Sequence, residues 1–89
     1  MIIAKTFKIY GKVQNVGFRF YTHKKAKEYH IFGFVRNEPD GSVYIEAEGE
    51  TLNLNIFEMW CKTGPTWARV SEFKSNQSPI MNYSDFKIK

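Results

Sequence analysis

With one cysteine, Cys61, the sequence can form no internal disulfide and no Cys-based metal site, so nothing points to an oxidising compartment. Cys61 therefore reads as a core residue. Its two histidines, His23 and His30, have no carboxylate or thiol cluster at ligand spacing, which argues against a metal centre. Long hydrophobic runs are missing too. The apolar start MIIA gives way at once to Lys5, too soon for a secretory signal, and no later stretch approaches the length of a membrane span. A cytoplasmic location with no membrane partner is the expectation. Neither a serine elbow nor the Gly-Lys-Ser/Thr ending of a nucleotide-binding loop is present, which argues against nucleophilic-serine and ATP chemistry.

What is present is ordinary for a folded protein: 43% hydrophobic and 25% charged residues, with aromatics at 17% to supply large buried areas. The 89 residues suit one domain, 1–89, with a single core. Thirteen Lys and Arg against nine Asp and Glu give a net charge of +4, which favours an anionic partner without choosing one.

Hydrophobic periodicity orders the chain. Ile3, Phe7, Ile9 and Val13 share one parity, with Thr6, Lys8 and Lys12 on the other, which predicts a strand from Ile2 to Lys12. Phe18, Thr22, Ala26 and Tyr29 then recur at helical spacing, with lysines between them. Ile31 to Asn37 is a short apolar run, and Glu38-Pro-Asp-Gly41 carries turn chemistry. Val43, Ile45 and Ala47 alternate with polar partners, so two strands joined by a hairpin follow. Thr51 is the expected N-cap of a second helix with Leu52, Ile56, Phe57, Trp60 and Cys61 on one face, stopped at Gly64-Pro65. Val70 to Lys74 and Ser84 to Ile88 read as further strands. The order is βαββαβ with a short extra strand, an α+β, ferredoxin-like sandwich whose antiparallel sheet carries both helices on one face.

The stretch GKVQNVGFRF, Gly11 to Phe20, falls between the first strand and the first helix. Gly11, Asn15 and Gly17 tolerate unusual backbone angles, so successive N–H groups can converge on an anion, and a helix N-terminus adds its own free donors. Arg19 stands in the first helical turn, where a cation is otherwise mildly unfavourable. A guanidinium offers paired donors to phosphate oxygens at any physiological pH.

Gly11 to Arg19, together with Gly33-Phe-Val-Arg-Asn37, resembles the paired signature of the acylphosphatases, whose loop reads G-x-V-Q-G-V-x-[FY]-R. Asp40 to Val43, Glu48-Gly49, Trp60, Gly64-Pro65 and Ala68 to Val70 follow in the order that family shows. The resemblance implies that backbone N–H groups of Gln14, Asn15, Val16, Gly17 and Phe18 bind the phosphoryl group. It further implies that Arg19 binds it with its side chain and that Asn37 positions the attacking water. It implies an acyl phosphate substrate, inorganic phosphate as product, no cofactor, no metal, no nucleic acid and a monomer. Two residues depart from the pattern: Asn15 replaces a glycine of the loop, and His30 stands where a glycine commonly ends the first helix. Two rival readings stand beside this one, an RNA-binding module, which shares the element order, and a regulatory domain that binds phosphate or a phosphorylated ligand without turnover. His30 to Asn37 loosely echoes an aromatic RNA-binding pattern, but that pattern belongs on a third strand, whereas this segment is expected on the second.

Overall fold

In the computed structural model, which describes residues 1–89, the alternating first segment forms strand β1, Ile2–Lys12. Phe7 and Ile9 are fully buried on one side, while Lys8 and Tyr10 occupy the other. Helix α1, Phe18–Glu28, buries Phe18, Thr22 and Ala26, the stripe that the spacing predicts; Tyr29 falls one residue beyond, as its C-cap. His30 takes a left-handed conformation, φ 56°. Its N–H donates to the Lys27 carbonyl at 3.4 Å, and that of Ile31 to Ala26 at 2.8 Å, the Schellman pair that closes a helix end.

Strands β2, Phe32–Asn37, and β3, Val43–Glu50, form the expected hairpin. At its turn the Ser42 hydroxyl and N–H both donate to Asp40, holding that carboxyl below its ordinary pKa. The aromatic segment that echoes an RNA-binding pattern thus lies on β2.

Helix α2, Thr51–Thr63, departs from expectation in two ways. Its N-cap is Glu50, and Thr51 instead donates to the Met1 carbonyl through Oγ1 at 2.9 Å and through its N–H at 3.1 Å. Its buried stripe is Leu54, Phe57 and Cys61, whereas Leu52 is 70% exposed and Ile56 39%. At 3.6 residues per turn, Leu52 and Ile56 lie about half a turn round from Leu54, so both sets cannot face the sheet. Trp60 sits at the margin, packed on Phe18 with ring centroids 5.9 Å apart.

Strand β4, Arg69–Gln77, outruns the expected Val70 to Lys74, and β5, Phe86–Ile88, is shorter than expected. The sheet order is β4-β1-β3-β2-β5. β1 runs antiparallel to β3 and β4, and β2 antiparallel to β3, but β5 is parallel to β2, so the sheet is mixed rather than wholly antiparallel. Topology dictates this: the chain leaves β4 at one edge and must cross to the opposite edge before β5 can pair. The crossing strap, residues 78–85, is held by Glu48, whose carboxylate accepts the N–H groups of Met81 at 2.9 Å and Tyr83 at 2.6 Å. The Tyr83 hydroxyl donates to Glu46, and this bond, with partial burial, pushes its pKa up to about 12.

One core joins the sheet to both helices: Phe7, Ile9, Val35 and Ile45 meet Phe18, Ala26, Leu54, Phe57 and Cys61. Phe57 is its hub, with ring centroids 6.4 Å from Phe7 and 6.1 Å from Phe86. Each such buried ring contributes about 1.5 to 3 kcal/mol. Burial also pushes the Cys61 thiol pKa up. This core fixes the ends of β1, β2 and α1 relative to one another.

Candidate active site

Between β1 and α1 the chain turns through Val13 to Gly17, and two residues there have positive φ: Asn15 at 61° and Gly17 at 79°. Gly17 is the N-cap of α1, so the helix starts from a left-handed residue that only glycine adopts freely. Asparagine is among the few other side chains that tolerate this region, which accounts for Asn15 in a glycine's place. Gly11, expected within the turn, instead sits in β1 at the irregularity against β4, where any side chain would strike the Arg69 carbonyl. Its glycine serves strand pairing.

No N–H from Gln14 to Phe20 donates to a protein acceptor, those at the start of α1 because the first turn of a helix has no carbonyl to receive them. The Tyr21 N–H, bonded to the Gly17 carbonyl at 3.0 Å, is the first that the helix engages. Free N–H groups at a helix start, with the positive end of its dipole, are the elements of an anion site.

Of the predicted residues, Asn15, Gly17, Phe18, Arg19 and Asn37 line one cleft of about 260 Å³. Val13, Phe20 and Ile88 complete its wall. No Asp or Glu lines the cleft, and none pairs with Arg19. The Arg19 guanidinium donates from Nη1 to the Lys89 carbonyl at 3.0 Å, which ties the first turn of α1 to the residue after β5. Asn37 ends β2, opposite Val43, half-buried and lining the cleft.

Gln14 and Val16 do not line the cleft. Val16 is buried in the core. Gln14 turns away, its Nε2 donating to the carbonyls of Glu38 at 2.9 Å and Ser42 at 3.0 Å. Those residues close the β2–β3 hairpin, Glu38 N–H to Ser42 carbonyl at 2.8 Å. The Gln14 side chain thus fastens the turn to the strand that carries Asn37.

Phe20, Ile88 and Lys89 had no local sign in the sequence; the last two reach the site from β5 and its flank. Size alone does not single the cleft out, since a groove of about 390 Å³ lies along α1 beside His23, Lys27 and Asp85. Its chemistry does: Arg19 and the Asn37 amide line it with no Asp or Glu beside them, at the end of a turn whose N–H groups donate to no protein acceptor. No cluster of three His, Cys, Asp or Glu side chains that could hold a metal ion occurs, and no helix is long and apolar enough to cross a membrane.

Residues 5–88 match the family model for acylphosphatase. The chain is 47% identical over 75 residues to an acylphosphatase of Mannheimia succiniciproducens, covering 84% of this chain and 83% of that one. An acylphosphatase of Archaeoglobus fulgidus is 42% identical over 87 residues, 98% of each chain. Among solved structures, an acylphosphatase from Coxiella burnetii superposes with a TM-score of 0.95 at 34% identity, over 99% of this chain and 93% of that one.

Proposed function

This chain belongs to the acylphosphatase family, and we propose that it hydrolyses the carboxyl–phosphate bond of acyl phosphates by means of the cleft between β1, α1 and β2. Backbone N–H groups of the Gln14 to Phe18 turn cradle the phosphoryl oxygens, Arg19 grips two of them with its fork of donors, and the Asn37 amide orients the attacking water. The observation that carries this reading is the cleft itself, lined by Asn15, Gly17, Phe18, Arg19 and Asn37 with no Asp or Glu among its walls, beside a turn whose N–H groups donate to no protein acceptor.

The chemistry asks for little more. Phosphoryl transfer passes through a loose transition state, so positioning and charge stabilisation do most of the work. Water adds to phosphorus, the P–O bond to the acyl oxygen breaks, and the carboxylate leaves with the electron pair. Its conjugate acid has a pKa near ~4, so it departs without a general acid. The lack of Asp, Glu or His in the cleft lining is consistent with that economy. Alkyl phosphate esters, whose alkoxides need protonation, are poor substrates on this reading. Asn37 suits the water because a neutral amide carbonyl accepts its hydrogen bond without repelling the phosphoryl anion.

Phosphate release from benzoyl phosphate, assayed with a metal chelator present throughout, tests the reading. Wild type is expected to turn over. Both Arg19→Ala and Arg19→Lys are expected to lose at least about 10² to 10³ in rate, because the fork geometry matters as well as the charge. Near-normal turnover by the lysine variant would overturn the paired-donor role, and loss of wild-type activity restored by magnesium would overturn the metal-free cradle.

A further inference from the structure

A second concave surface adjoins the cleft. It is a groove of about 300 Å³ between α1 and the segment after α2, walled by Tyr21, Trp60, Trp67 and Pro65, with Lys25 at its rim. Trp67 is 72% exposed and Tyr21 45% exposed. Large aromatic surface left open in this way is costly unless something covers it. No Asp or Glu lines the groove, and the Lys25 ammonium already lies 3.4 Å from Glu28, so what it offers a ligand is mainly aromatic.

Two residues join groove to cleft. The Tyr21 ring packs against the α-carbon side of Gly17, where an added Cβ would stand 3.2 Å from it, and Gly17 lines the cleft. Phe20, 60% exposed, lines the cleft as well, and its ring meets that of Tyr21 edge-on with centroids 5.1 Å apart. A molecule held by its phosphoryl end at Asn15, Gly17 and Arg19 therefore finds an aromatic surface running from Phe20 over Tyr21 toward Trp67.

We propose that this groove is the acyl-group subsite and that it selects aromatic acyl phosphates over small aliphatic ones, through stacking on Tyr21 and Trp67. The inference rests on the cleft being the phosphoryl site. Its occupant is the non-reacting part of the substrate, because the groove's Tyr21 wall packs directly on Gly17 and Phe20 of the cleft where the reacting part is bound, and because its lining matches an aryl group in chemistry. Binding there adds equally to ground and transition states, so the preference falls on KM rather than on kcat.

Two non-hydrolysable analogues with a methylene in place of the bridging oxygen, acetonylphosphonate and phenacylphosphonate, separate the subsite from the chemistry. Calorimetric titration of wild type is expected to show the phenacyl compound binding about tenfold tighter, the range of one favourable aromatic contact. In Trp67→Ala the ratio should fall to about twofold, with partial recovery in Trp67→Phe. Equal affinities in wild type, or a ratio that survives in Trp67→Ala, would overturn the subsite; a second copy of the chain as occupant would show as dimers that Trp67→Ala dissolves while the ratio stays unchanged. Turnover of acetyl and benzoyl phosphate is read separately. A wild type that shows the binding preference but hydrolyses neither contradicts the catalytic reading and leaves the subsite supported.

Discussion

Two left-handed residues other than glycine flank helix α1, Asn15 in the turn before its Gly17 N-cap and His30 just after its finish. The two turns treat their backbone groups in opposite ways. At His30 the N–H groups of Tyr29, His30 and Ile31 all return to the helix, on Lys25, Lys27 and Ala26. At Asn15 the N–H groups from Gln14 to Phe20 return to nothing in the protein. Similar backbone angles thus complete a helix in one place and hold donors in reserve in the other. The difference lies in direction: a helix end presents surplus carbonyls that a reversed turn can satisfy, whereas a helix start presents surplus N–H groups that want an acceptor from outside.

The sharpest test of that contrast is to break the open turn. Asn15→Val places a β-branched side chain at φ 61°, a strain of about 1 to 3 kcal/mol. The N–H groups should then swing out of convergence, with both turnover and phosphate affinity lost and the phosphate-induced rise in melting temperature abolished. Asn15→Gly should keep or modestly raise activity. If glycine, asparagine and valine forms gave equal turnover and equal stabilisation by phosphate, the left-handed geometry would be irrelevant to the site.

Next in size is the separation of holding from reacting. Asn37→Ala should lower kcat by about 10², the scale of misplacing a reactant, with inhibition by inorganic phosphate little changed. Asn37→Asp should do no better, since a carboxylate repels the anion. Parallel losses of turnover and phosphate inhibition would make Asn37 an anion ligand instead.

The smallest effect belongs to the closed turn. His30→Gly relieves a left-handed cost of about 1 to 2 kcal/mol but adds unfolded-chain freedom of about 0.4 to 1 kcal/mol. A net gain of at most about 1.6 kcal/mol should follow, seen as a rise of a few degrees in melting temperature with kcat/KM unchanged. A change in activity would mean that the two ends of α1 are not independent.

Local signals made most of this legible in the sequence. Glycine, asparagine and an out-of-place arginine between a period-2 and a period-3.6 segment located the turn, and the hairpin announced itself through Glu38-Pro-Asp-Gly41. What the sequence could not convey was long-range. α2 carries apolar residues on opposite sides, and only the sheet beneath decides that Leu54 rather than Leu52 goes inward. The Gln14 side chain bonds to partners 24 and 28 residues away, so its motif position suggested the phosphate cradle while its amide serves the hairpin. The parallel pairing of β5 with β2, and with it Ile88 in the cleft, follows from sheet topology that no window of residues records.

The strap that carries the chain from β4 across to β5 also sets an order of events during folding. β5 pairs with β2 some 50 residues upstream, Gly33 opposite Phe86, and it can do so only after the strap has been laid from one edge of the sheet to the other. Closure of so long a loop is slow and offers little reward until the final contacts form. Those contacts include the Lys89 N–H on the Val35 carbonyl at 2.8 Å and the Lys89 carbonyl under Arg19. In a refolding chain, helix content and the fluorescence of Trp60, packed on Phe18, should recover before catalytic competence does, because the guanidinium gains its anchor from the last piece of chain to arrive.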